Sequence, residues 1–193
     1  MKTKKLTVIL MLVILTYAST NVFAEEYSFR KTKWGMSKQQ VLASETLKPA
    51  QEKPNLLIYK TRLLENNYYI IYIFVDDKLV RSKYMLHERH SNKNSYIDDY
   101  NSLNAALTNK YGEPLEKDTL WLNDLYKDDR ANWGMAISIG HCVYFTKWET
   151  NESTIFQCLS GDNYKMECGV QYSSKQLKHL EKKQKEQQTK DAL

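Results

Sequence analysis

One run of residues limits the fold more than any other: Tyr68-Tyr69-Ile70-Ile71-Tyr72-Ile73-Phe74-Val75, then Asp76-Asp77-Lys78, then Leu79-Val80-Arg81-Ser82-Lys83-Tyr84-Met85-Leu86. β-Branched and aromatic side chains suit a pleated, half-buried surface, and a short acidic break between two such runs predicts a β-hairpin. Asp tolerates positive φ, so Asp76-Asp77 as a two-residue primed turn sets Val75 against Lys78. In that register alternate residues share a face. One face carries Ile71, Ile73, Val75, Val80, Ser82 and Tyr84, and this aliphatic side is the expected core. The other carries Tyr68, Ile70, Tyr72, Phe74, Leu79, Arg81 and Lys83. Its rings and long cations, Tyr68, Tyr72, Phe74, Arg81 and Lys83, make it the expected partner-binding surface. The competing account of the same face is burial beneath a helix, with the cations snorkelling past its rim.

The start of the chain reads as an address. Lys2, Lys4 and Lys5 precede an apolar run from Leu6 to Leu15, and Val22-Phe23-Ala24 has small groups where signal peptidase reads them. The mature chain is therefore expected to begin at Glu25, in the periplasm or outside the cell. The apolar run is short for a membrane span, and no Cys stands at the expected cleavage site to accept a lipid, so no stable membrane anchor is expected after cleavage. The signal holds three of the 28 basic residues and none of the 23 acidic ones, and a Lys/Gln-rich tail (175–193) holds six more lysines. The body between them is close to neutral. Nucleic acid is excluded as a partner on that ground, since phosphate recognition needs a concentrated cationic footprint.

Residues 25–174 read as a single α+β domain: two consecutive helix-plus-three-strand units forming an antiparallel sheet with helices packed on one face. The first unit opens at Trp34-Gly35-Met36-Ser37, where Ser37 and Gln40 make a capping box and Met36 and Val41 a hydrophobic staple. A Pro-containing loop leads to a strand over 56–64 and then the hairpin. The second unit opens on a helix capped at Ser95, with Tyr96, Tyr100, Leu103, Leu107 and Tyr111 at helical spacing, closed by Gly112 and Pro114. A connection containing Trp121 then leads to strands at 142–148, 154–159 and 167–172. Beyond Gln176 the chain has helical propensity but only Leu177 and Leu180 for an apolar stripe, so a frayed end is expected.

Trp34-Gly35-Met36-Ser37 opening one helix, and Leu107-Thr108-Asn109-Lys110-Tyr111-Gly112-Glu113-Pro114 closing another, resemble small exported bacterial domains of the β-lactamase-inhibitor-like type and the related small-protein domain of outer-membrane assembly. The resemblance implies a binding or assembly module that uses the exposed face of a curved sheet. It carries no active site with it.

Candidate chemistry is sparse. His87-Glu88-Arg89-His90 offers two imidazoles in a polar connection without a third ligand at a fixed offset, and His141 and Cys142, adjacent on a strand, point to opposite faces. Asp76-Asp77, Asp98-Asp99 and Asp128-Asp129 suit a turn, a helix start and a loop. No phosphate-binding glycine loop, nucleophile elbow or metal-ligand spacing is present, so no cofactor and no metal are expected. Cys158 with Cys168, Cys142 with Cys158, or no bridge at all remain open for the three thiols. The expected function is that of an exported, non-catalytic module engaging a protein of the cell envelope. The alternative is a small-molecule-binding protein or hydrolase with a pocket between the sheet and the helix that starts at Ser95.

Overall fold

The computed structural model describes residues 27–191, so the expected export signal lies outside the described residues. The first helix, α1 (Lys38–Ser44), starts where Ser37 Oγ accepts the Gln40 amide and the Gln40 side chain accepts the Ser37 amide, closing the expected capping box. Strands β1 (Gln51–Lys53), β2 (Leu56–Leu63), β3 (Asn66–Val75) and β4 (Lys78–Leu86) follow. The second unit contains α2 (Ser95–Tyr111), β5 (Glu116–Trp121), α3 (Trp133–Ser138), β6 (Cys142–Glu149), β7 (Ser153–Asp162) and β8 (Lys165–Ser174), and α4 (Lys178–Asp191) ends it. The strands form one antiparallel sheet in the order β1-β2-β3-β4-β8-β7-β6-β5.

The fold is α+β with two helix-and-strand units, as the sequence predicts. Each unit adds a strand at the outer margin of the sheet, β1 in one and β5 in the other. The last strands of the units meet in the middle, with Arg81 opposite Ser173 and Met85 opposite Gly169. At the end of α2, Gly112 takes φ +80° and donates its amide to Thr108 O, the left-handed stop expected there. At its start the cap differs from expectation. Asn94 precedes Ser95 and turns its side chain outward, accepting the Gly134 amide at 2.6 Å and donating to Ala131 O at 2.9 Å, which ties α2 to α3.

The two faces of the sheet are unequal. One cross-strand row runs Leu57, Tyr72, Ser82, Tyr172, Ile155 and Trp148, and every member is buried. Val41 of α1 and Leu103 and Leu107 of α2 join that core, and on the same side Ala136 and Ile137 of α3 pack with Tyr96, Tyr100 and Leu159 in a second cluster. Full burial of a large apolar side chain contributes roughly 1.5–3 kcal/mol, so the face with the bulkier set is the one the helices cover. Beneath α2 a polar network fixes its seating: Asn104 Nδ2 donates to Thr146 Oγ1 at 2.9 Å and to Gln157 Oε1 at 2.8 Å, and Gln157 Nε2 donates to Tyr100 O at 2.7 Å.

The helix α4 lies across the opposite face, against β3 and β4, where Glu181 meets Arg81 Nη2 at 2.8 Å and Leu177 and Leu180 are half-buried. The polar tail is thus helical through Asp191 rather than a frayed end. Among the described residues, no helix is long and apolar enough to cross a membrane.

Candidate functional site on the outer face of the sheet

The hairpin turn forms as predicted. Val75 stands opposite Lys78, and Asp76 and Asp77 take φ +50° and +56°. Two residues further in, the pairing slips. Phe74 faces Leu79 but Ile73 faces Arg81, so a β-bulge passes over Val80. An extra residue on one strand reverses which of its side chains share a face with the partner strand. Beyond the bulge, Ser82 and Tyr84 therefore join Tyr68, Ile70 and Tyr72 on the covered side, while Arg81 and Lys83 join Ile71 and Ile73 on the other.

The five residues expected to bind a partner are consequently split. Tyr68, Tyr72 and Phe74 are buried at 1 %, 0 % and 1 % exposure, so they form core and present no docking surface. The Tyr72 hydroxyl donates to Glu45, whose carboxylate also receives Arg30 Nε at 2.7 Å and Nη2 at 3.0 Å. The Tyr68 hydroxyl, by contrast, is buried without a hydrogen-bond partner, as is that of Tyr59, so of these rings only Tyr72 is anchored at its tip. Arg81 and Lys83 are half-exposed on the outer face, as are Ile71 and Ile73, which the sequence reading had placed in the core.

On that outer face two rows of side chains run across the strands. One reads Ile58, Ile71, Lys83, Gln171, Phe156 and Lys147. The next includes Tyr69, Met85, Gly169, Cys158 and Phe145. Phe145 and Phe156 stack with centroids 6.0 Å apart, and Phe156 is 39 % exposed. Between β4, β8 and β7 lies a cleft of ≈ 190 Å³ lined by Lys83, Met85, Phe156, Cys158, Glu167 and Gln171. Its floor is backbone because of Gly169, where a Cβ would stand 2.4 Å from Tyr84 O.

The electrostatics of this face are cationic. Burial, and then the neighbouring Arg81 guanidinium, lower the Lys83 amine below the usual lysine range. Arg81 reaches Gln171 Oε1 at 3.4 Å on one side and Glu181 on the other, so it links the cleft to a second depression of ≈ 530 Å³ lined by Lys178, His179, Glu181, Lys182 and Lys185 of α4. The helix therefore walls a groove floored by backbone beside Met85 and Phe156, with a lysine-rich flank.

The other sequence candidates do not assemble. His90 Nε2 contacts Asp99 Oδ2 at 2.6 Å, His87 contacts the Tyr69 hydroxyl at 3.0 Å, and His141 stacks on Tyr126, three separate partners. Among the described residues, no three His, Cys, Asp or Glu side chains come together as a metal-binding group. All three cysteines are free. Cys158 pairs with Gly169 and Leu159 with Cys168, so Cys158 and Cys168 stand one residue out of register on opposite faces, which prevents a bridge between them. Burial pushes the Cys142 thiol up to about 11 and the Cys168 thiol up to about 12, which removes thiolate chemistry near neutral pH.

Phe145, Phe156, Met85 and Gln171 were missed by the sequence reading. Their signal was alternation within β4 and the last three strands, Phe145 against Tyr144 and Phe156 against Ile155, but no local pattern says which member of each pair faces the helices. The chain matches no known protein family, no characterised protein and no solved structure.

Proposed function

We propose that this chain is an exported, non-catalytic binding module of the cell envelope that docks a protein partner on the outer face of its sheet, beside α4. The observation that carries the reading is the asymmetry of the sheet: α1, α2 and α3 all pack on one side, leaving stacked Phe145 and Phe156, Met85, Gln171 and Lys83 uncovered on the other. A partner suited to this surface presents an apolar side chain for the cleft and carboxylates for Lys83, Lys178, Lys182 and Lys185. A pocket beneath α2 has less support, because that space holds the Asn104, Thr146 and Gln157 network and the histidines point elsewhere.

The test is site-specific photo-crosslinking in the producing cell, with the crosslinker at Phe156 or Gln171 and, as a control, at Lys48 on the far loop. A discrete adduct with an envelope protein at the first two positions, lost in K83E and keeping its thermal melt, is the expected result. Equal adducts at Lys48, or adducts indifferent to K83E, would remove the outer face as the docking site.

A further inference from the structure

The sheet is open, and its two edges are built differently. At one edge β1 has three residues, all exposed, followed at once by Pro54, the short and charged form that discourages pairing. At the other edge β5 has six residues and sits among Leu115, Leu120, Leu122 and Leu125, which are 67, 48, 65 and 68 % exposed. Nowhere else among the described residues do four such exposed leucines fall within one short stretch. The Leu122 amide donates to His141 O in line with the β5–β6 register, so the even-numbered residues of β5 bond to β6. The amides and carbonyls of Lys117, Thr119 and Trp121 therefore point out of the sheet. The Thr119 amide, lacking a strand, donates to the side chain of Asp118 at 2.7 Å.

We infer that β5 is an interface between two copies of this chain, joined antiparallel about a twofold axis at Thr119. That register pairs Thr119 with its counterpart and Lys117 with Trp121 of the other copy, so all the outward amides and carbonyls of the strand find partners. It places Asp118 opposite Leu120 and Glu116 opposite Leu122, with no like charges in direct opposition. A register centred on Asp118 would set two carboxylates against each other, and one centred on Leu120 would engage fewer of the outward groups. Because Leu120 stands one position from the axis, the Leu120 side chains of the two copies become diagonal neighbours across it. This apolar contact adds to the backbone pairing of the strand. The second copy is favoured over a membrane surface because Glu116, Asp118, Asp124, Asp128 and Asp129 outnumber Lys117, Lys127 and Arg130 around the leucines, and anionic lipid would be repelled.

The inference rests on the free edge of β5 and not on the cleft between β4, β8 and β7, although the two surfaces adjoin where Asp118 stands opposite Phe145. Sedimentation equilibrium of residues 25–193 from low micromolar to millimolar concentration is expected to show a monomer–dimer equilibrium. T119P deletes an amide that β6 does not use, and L120K charges the apolar contact. Each is expected to weaken dimerisation at least tenfold while keeping the monomer's circular dichroism and melt at low concentration. A chain that stays monomeric at millimolar concentration, or dimers equally strong in both variants, would overturn the proposal. Dimers unaffected by T119P but lost in a K83E variant would place the interface on the outer face instead, and would likewise overturn it.

Discussion

Glu45 joins the first unit's helix to its sheet, and E45Q measures that joint. Its side chain is 2 % exposed and receives Arg30 Nε at 2.7 Å, Arg30 Nη2 at 3.0 Å and the Tyr72 hydroxyl. Glutamine keeps the shape but leaves the guanidinium without its counter-charge. Removing one member of a buried ion pair costs about 3–5 kcal/mol, and the Arg30 side chain, 27 % exposed, recovers some hydration, so about 3 kcal/mol is expected. For a domain of this size each kcal/mol lowers the melting temperature by about 2–4 °C, which gives a fall of roughly 6–12 °C by calorimetry at neutral pH.

The pH dependence has a definite sign. Burial alone would raise the Glu45 carboxyl, but the hydrogen bonds from Arg30 and Tyr72 outweigh it and hold the group below the usual carboxylate range. A carboxyl depressed in the folded state stabilises fully above its unfolded value of about 4.3 and loses that contribution as the pH falls through the folded value. The gap in stability between wild type and E45Q should therefore be widest near neutrality and close in acid. R30M combined with E45L should cost less than the sum of the single changes, because neither charge is then left alone. A melt lowered by less than about 2 °C in E45Q, or a gap that widens towards about pH 3, would refute the reasoning.

Two further outcomes follow from the packing. Asn104→Leu leaves Gln157 Oε1 unpaired beneath α2, while Thr146 keeps the Tyr100 hydroxyl at 2.6 Å, and deprives Lys117 of the Oδ1 it meets at 2.9 Å, at about 1–3 kcal/mol for a buried group left unpaired; urea titration should show a midpoint shift for one such loss. Alkylation at mildly alkaline pH, read by mass spectrometry, should modify Cys158 before Cys142 and Cys168, whose thiols burial pushes up to about 11 and about 12, and all three should react once the chain is unfolded. Early labelling of Cys168 would contradict its placement under the helices.

Much of the architecture is local and was legible in the chain. The Asp76-Asp77 turn, the Ser37–Gln40 box and the Gly112 stop each depend on residues within four positions of one another, and each forms as read. The hydrophobic alternation of β3 likewise predicted a strand with two distinct sides. What alternation lacks is a sign. Tyr72 and Ile73 both favour a strand, and only the arrival of α1 and α2 on one side decided that the rings go inward and the isoleucines outward.

The bulge at Val80 then sent Arg81 and Lys83 to the side opposite the rings with which the linear pattern had grouped them. Similarly, Leu177 and Leu180 made a stripe too narrow to fold a helix alone, and β4's Arg81 gave α4 a place to lie. Sequence by itself determined the central hairpin, its turn and the caps at Ser37 and Gly112, because those energies act between near neighbours, whereas β1 and β5, read as loop and connection, and the start of α2 depend on distant partners. Tertiary structure alone decided which face is buried, because that free energy is realised only when segments distant in the chain exclude water together.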